Sequence, residues 1–363
     1  MAEVVFSHST ALDVFRWRPD LLRRSRIPLS AEISPAPPPL EDARMLLREI
    51  MLQSTEVSSN ALSGGLAADP GPICQPRSGR LAGGLCAEQF LPVSTPPIHC
   101  MMGEKWTRSS PCGIAAHSGA RDFGANAFIR VGDGVYAACP ELAFVQCCRG
   151  RSLVEAMLLG FEVVGTYATL RTCSANRSGM PPLSTRRKLS LFLERNRGIY
   201  GTDKLMEHGL LRFVRDGSAS FQETRLAMLL GLPVRMGGRG LGMPTMNFRI
   251  NASGDASRIS GRRFLLADLC WPKARVDVEY ESRRHHSDPD ERIRDFKRVH
   301  ALECLGWKVI QVSEVDICSS VTLDAIADAI RKRLELRKRV LSSVQIRKQR
   351  TLELSLEIEG RRF

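Results

Sequence analysis

A chain of 363 residues is long enough for two domains, and 43% apolar with 25% charged residues excludes a disordered or fibrous class. No run approaches 18 uninterrupted apolar residues, and the opening MAEVVFSHSTALDVF lacks the basic start and apolar core of a signal peptide, so a cytoplasmic protein without a membrane span is expected. The formal net charge of +13 argues for a polyanionic partner and says nothing about the fold.

Eleven cysteines are many, yet no CxxC pair occurs. Neither a zinc site nor a disulfide framework is legible in their spacing, and an odd count fits free thiols.

Residues 1–57 open with a short amphipathic stretch, pass through the Pro-rich SAEISPAPPPLED, and then give a helix over Leu40–Leu52. Residues 58–97 fill with Gly, Ser, Pro and Ala and lose all periodicity, which is linker chemistry. A smaller α+β module follows over 98–212. Its AFIRVGDGVYAACPELAFVQC reads as strand, turn, then a helix from Pro140.

The most legible module spans 213–340. Ser220 with Glu223 is a capping-box pattern opening a helix that carries Leu226, Leu229 and Leu230 and stops at Gly231-Leu-Pro233. Strands are expected at Thr245–Ile250, Arg263–Leu269 and Arg275–Glu281, the last two joined by Trp271-Pro-Lys-Ala274. A helix from Pro289 presents Ile293, Phe296, Val299 and Leu302 on one side, and Gly306 ends it before a strand at Trp307–Val312. A last helix carries Leu323, Ile326, Ile330 and Leu334. Helix, three strands, helix, strand, helix predicts an α/β domain with a mixed sheet flanked by helices. A charged tail, 341–363, closes the chain. Nine Lys or Arg against the single acid Glu335 lie between Arg331 and Arg350. Such a run is either a nucleic-acid surface, with Arg331, Lys332, Arg333, Arg337 and Lys338 as phosphate contacts, or a solvated helix face.

Phosphodiester hydrolysis needs hard carboxylate ligands on rigid, adjacent elements to hold Mg²⁺ (Mn²⁺ as a substitute) against the phosphate. Asp268 lies near the end of one hairpin strand, and Asp277, Glu279 and Glu281 alternate along the next, sharing a face. Each acid also has a structural reading: Glu223 as the capping-box partner of Ser220, Asp268 as a strand-end acid, and the alternating three as a solvent face.

The stretch ADLCWPKARVDVEYESRRHHSDPDERIRDFKRVHALECLGWKVIQV carries Asp268, Pro272, Glu279, Tyr280, His285, Asp295, Arg298, Leu302, Gly306, Trp307 and Val309 in an order that resembles the endonuclease-like family of bacterial proteins related to very-short-patch-repair endonucleases, within the PD-(D/E)xK superfamily. The preceding SASFQETRLAMLLGLP and GGRGLGMPTMN are similar to that family as well. The resemblance implies a restriction-endonuclease-like domain, a metal set of Glu223, Asp268 and Glu279, and Mg²⁺-dependent cleavage of DNA in repair or phage defence. Glu281-Ser282 replaces the family's Asp-Gly, and the Lys of the wider pattern is missing; Glu281, Arg283, Arg284 and His285 are the candidates to stand in, His285 as acid or base and the arginines as DNA contacts.

Upstream, IHCMMGEKWTRSSPCGIAAHSGA, VYAACPELAFVQCC and LLGFEVVGTYA, with His117 and Pro140-Glu141-Leu142, resemble type IV abortive-infection antitoxin-like proteins. That likeness implies a second reading, a non-catalytic DNA-binding regulator or antitoxin with a cognate toxin. No helix-turn-helix is legible in residues 1–57.

Overall fold

A computed structural model describes residues 4–27, 38–52, 97–102, 111–118, 127–169, 177–198, 202–207, 209–281, 289–337 and 340–361. The protein is mixed α/β. It divides into two compact units: Met1–Arg151 with Ala168–Glu207, and Ser152–Tyr167 with His208–Phe363. No helix among the described residues is long and apolar enough to cross a membrane. The expected linker at 58–97 lies outside the described residues except for Pro97.

The first unit is organised by a six-stranded mixed sheet. Its strands are β1 (Val4–Phe6), β2 (Arg26–Ile27), β3 (Ile98–Met102), β4 (Ile114–Ser118), β5 (Phe128–Gly132) and β6 (Val135–Ala138), in the spatial order β2-β5-β6-β1-β3-β4. The N-terminal stretch is therefore not a separate helical segment. β1 lies inside the sheet, parallel to β6 and antiparallel to β3. Three residues with Val5 and Phe6 fully buried are too few to show a period, so the sequence reads them as the start of an amphipathic stretch. The sheet's helices are α1 (His8–Trp17), α2 (Leu40–Leu52) and α3 (Pro140–Cys148), whose first residue Pro140 needs no amide partner.

The second unit begins earlier than the periodicity suggests. Helix α4 (Leu153–Val164), opened by a Ser152–Glu155 capping box, belongs to it because Gly217 N–H donates to Val164 O and Thr166 N–H to Ser218 O. Helix α5 (Phe221–Gly231) precedes a four-stranded sheet of β7 (Thr245–Asn251), β8 (Phe264–Trp271), β9 (Val276–Glu281) and β10 (Lys308–Ser313), ordered β10-β9-β8-β7. β7, β8 and β9 pair antiparallel, and β10 joins parallel to β9 after the crossover helix α7 (Pro289–Cys304). Between β7 and β8 the chain inserts a short helix, α6 (Gly254–Ser260), which the sequence reading passes over. Ala267, Cys270, Ala301, Leu302 and Val309 share the core beneath the sheet. The α7 stripe is only half used: Leu302 is buried, whereas Ile293 and Phe296 are exposed.

The expected charged tail contains a helix. Helix α9 (Ser343–Arg361), following α8 (Ser320–Arg333), buries Leu352 and Leu356. Arg239, buried itself, donates to Asp324 of α8 and to Glu353 of α9. The GGRG segment makes this possible. The N–H groups of Arg239, Gly240 and Leu241 donate to the carbonyls of Leu229, Leu232 and Leu230, satisfying the end of α5. So close an approach leaves no room for a side chain: a Cβ on Gly238 would lie 2.1 Å from Leu232 O, and one on Gly237 2.4 Å from Lys348 O. Gly238→Ala is expected to destabilise the unit by about 2–4 kcal/mol. Gly254→Ala, at φ +54° in open space, is expected to cost about 1–2 kcal/mol through its backbone alone. Denaturant melts of both variants check the difference.

Candidate active site

Four acids meet on one part of the second unit. Glu223 stands in the first turn of α5. Ser220, the N-cap, accepts from Glu223 N–H (3.1 Å) and donates its hydroxyl to Glu223 Oε1 (3.0 Å). The return arm of the expected capping box is displaced by one residue. Glu223 Oε2 accepts from Ala219 N–H at 2.9 Å and also from Asn247 Nδ2 at 2.9 Å. Capping and site geometry therefore use the same carboxylate. Burial pushes its pKa above the usual carboxylate range; these three hydrogen bonds oppose the shift, and the charge of Glu279 adds to it.

Asn247 is a site residue that the sequence reading missed. It lies within β7 at φ +45°, a left-handed conformation that Asn tolerates better than other side chains. It ties Glu223 to Gly217 O as well. The register, Met246 opposite Leu269 and Leu269 opposite Val278, sets Asn247, Asp268 and Glu279 in one row across the sheet. Gln311 of β10 continues the row opposite Glu279.

Asp268 accepts from Tyr280 N–H at 3.3 Å. Its pKa is pushed up to about 8, first by burial, then by the charges of Glu279 and Glu223; Arg298 pulls the other way. Asp277 is fully buried, and neither of its oxygens has a donor. Burial first, then the neighbouring Glu279 and Asp268, raise it to about 10. A carboxyl protonated at neutral pH can itself donate to Glu279, which resolves the missing donor. The alternative reading of Asp277 and Glu279 as a solvent face does not hold, because both are buried.

Glu279 is held by Arg298 of α7. Both guanidinium nitrogens reach it, Nη1 to Oε1 at 2.7 Å and Nη2 to Oε2, while Nη1 also donates to Leu266 O. Glu281 ends β9, half-buried, opposite Ser313. Tyr280 Oη donates to Glu314, which pairs with Arg225. Arg283, Arg284, His285 and Lys338 lie outside the described residues. Of the basic run, Arg331 is turned inward to Asp328 and to Arg239 O, whereas Lys332, Arg333 and Arg337 are exposed.

Crowded carboxyls with raised pKa values favour a cation, which would neutralise them. Glu223, Asp268 and Glu279 are the ligands this geometry offers, with Asp277 two residues before Glu279 on β9. They are not poised as a closed set: among the described residues, the three-residue group whose ligand atoms all lie within 4.8 Å of one another is His8, His99 and His117 of the first unit. Glu279 must slacken its hold on Arg298 to serve an ion.

No family model matches the chain, and no solved structure matches it. It is 30% identical over 103 residues to the uncharacterized proteins MT2308 and Rv2248 of two Mycobacterium tuberculosis strains, CDC 1551 and H37Rv. The matched segment covers 28% of this chain and 32% of each relative, so about a third of their length is represented.

The site gives a pH prediction for the metal-free protein. Unfolded Asp titrates near 3.9, and folded Asp277 near 10, so between these values the native state binds the extra proton. Stability must then fall as pH rises through that window, by at most ~1.4 kcal/mol per pH unit for one proton. Asp277→Asn keeps a donor toward Glu279 and removes the titration. It is expected to raise stability at pH 8 by at least ~1 kcal/mol and flatten the slope, as read from urea melts across pH 5–9.

Proposed function

We propose that the second unit is a restriction-endonuclease-like domain of the PD-(D/E)xK type that hydrolyses phosphodiester bonds in DNA with Mg²⁺. The observation that carries this reading is the cross-sheet row of Asn247, Asp268 and Glu279, with Glu223 bound to Asn247 from α5. Support comes also from the order of elements, an antiparallel hairpin followed by a helical crossover to a parallel strand, and from the resemblance in sequence. A bound Mg²⁺ supplies a water of lowered pKa and charge neutralisation at the phosphate. This chain's residues supply the rest. Asp268 and Glu279 offer ligand oxygens, Glu223 a third fixed by Ala219, Ser220 and Asn247, and Arg298 a guanidinium that can turn from Glu279 to a phosphate oxygen. Lys332, Arg333 and Arg337 give an exposed cationic surface for the backbone.

One observation favours a second reading. The two-pronged Arg298–Glu279 pair is also what a retired active site looks like, a charge cluster neutralised from within. In that case the domain binds DNA without cutting it, as a regulator or an antitoxin with its toxin as partner.

Cleavage of duplex, mismatched and single-stranded DNA with Mg²⁺ or Mn²⁺ separates the two. Glu223→Gln retains an oxygen for Ala219 and Asn247, so folding should hold while the rate falls about 100-fold or more; Asp268→Asn should behave alike. Wild-type rate in folded Glu223→Gln would return that residue to capping, and no cleavage by the wild type under any condition would favour the regulator. Independently, replacing Lys332, Arg333 and Arg337 together should flatten the salt dependence of DNA binding by about 2–3 in log–log slope. An unchanged slope would leave them a solvated face.

A further inference from the structure

The first unit holds a cluster that plays no part in the reading above. His8, His99 and His117 come from three different strands or strand ends. His8 follows β1 as the first residue of α1, His99 lies on β3, and His117 on β4. β3 flanks β1, with Ser7 N–H donating to His99 O, and β4 runs parallel to β3 with Met101 opposite His117. His99 and His117 therefore share a face of adjacent strands, and the turn into α1 brings His8 over them. The His8 and His117 rings lie 3.8 Å apart between centroids, and His99 Nδ1 is 2.9 Å from His117 Nε2.

The arrangement is held, not incidental. His8 has φ +50°, a left-handed backbone that costs a side-chain-bearing residue about 1–2 kcal/mol. Gln146 of α3 holds it there by accepting from His8 N–H at 3.0 Å. Ser7 Oγ lies 3.0 Å from His8 Nδ1, which leaves Nε2 as that ring's other nitrogen, and Ser7 itself is fully buried. The three imidazoles line a cavity of about 530 Å³, together with Gln146, Arg149 and Arg151.

We propose that His8, His99 and His117 bind one Zn²⁺ ion whose remaining coordination position opens into this cavity, where Arg149 and Arg151 favour an anionic ligand of the phosphate class. One nitrogen from each ring lies within 4.8 Å of the others. Tetrahedral Zn–N bonds of about 2.0–2.1 Å place ligand nitrogens about 3.3 Å apart, so the His99–His117 pair has to open by a few tenths of an ångström, and the stacked rings have to turn so that their in-plane lone pairs converge on the ion. Three imidazoles with no carboxylate select zinc over Mg²⁺, which prefers oxygen. They also leave the ion's double charge unneutralised, which is why the two arginines beside it point to an anion as the fourth ligand.

The test uses the full chain stripped of metal with a chelator, titrated with Zn²⁺ calorimetrically and with Co²⁺ followed by visible absorption. The first equivalent of Zn²⁺ should bind at about micromolar dissociation constant or tighter, and Co²⁺ should give the intense bands of tetrahedral coordination. His99→Ala and His117→Ala should each weaken binding about 100-fold, and Ser7→Ala, which only positions His8, about 10-fold. Because the alanine variants can fail to fold, the wild type is also followed by imidazole ¹⁵N resonances, of which three among seven histidines should shift with Zn²⁺. Inorganic phosphate should then perturb the Co²⁺ spectrum, and Arg149→Ala with Arg151→Ala should abolish that perturbation. No Zn²⁺ binding, or binding with no change in three histidine resonances, would overturn the site; a Co²⁺ spectrum blind to phosphate would overturn its anionic ligand.

Discussion

The second unit is organised around a charge conflict. Glu223, Asp268, Asp277 and Glu279 are drawn together where water is largely excluded, and like charges in such surroundings cannot all stay ionised. The protein lowers that cost in three ways. Arg298 grips Glu279 with both nitrogens, fixed backbone and side-chain donors surround Glu223, and Asp268 and Asp277 are pushed toward their protonated forms. An ordinary core would place Val or Ile at position 277, as β9 does at Val276 and Val278. Stability alone gives no reason to bury an acid there.

Much of this frame is legible in the sequence because it rests on local rules. The helix at Phe221–Gly231, the hairpin turn at Pro272–Ala274 and the stop at Gly306 follow from capping, proline and glycine chemistry. The alternation of Asp277, Glu279 and Glu281 fixes a shared face but cannot say which face is buried. Val276 and Val278 on the other side make the solvent reading equally consistent until α7 is seen to deliver Arg298. The Asn247 contact depends on a left-handed residue inside a strand, for which no periodic pattern exists. The closing glycines show in the sequence as GGRG, yet only the contact with Leu232 and Lys348 explains them.

The first unit was harder to read for a different reason. Its sheet is assembled from short strands far apart in the chain, with Val4–Phe6 beside residues near 100 and near 136. Long-range pairing of three-residue strands leaves no local signature. The three histidines share that difficulty, since positions 8, 99 and 117 have no ligand spacing and become neighbours only through strand order. His117 stands out in the sequence by its place in a motif, without its neighbours.

The central claim is that the crowded carboxyls of the second unit form a site for a divalent cation, and its most direct test is the proton balance of Mg²⁺ binding. Calorimetric titration near pH 7.5 in buffers of differing ionisation enthalpy measures the protons displaced per ion. If Asp268 and Asp277 hold protons in the metal-free protein, Mg²⁺ should bind with net proton release, and Asp268→Asn should weaken binding and reduce that release. Mg²⁺ binding without proton release, or no Mg²⁺ binding at millimolar concentration, would contradict the account.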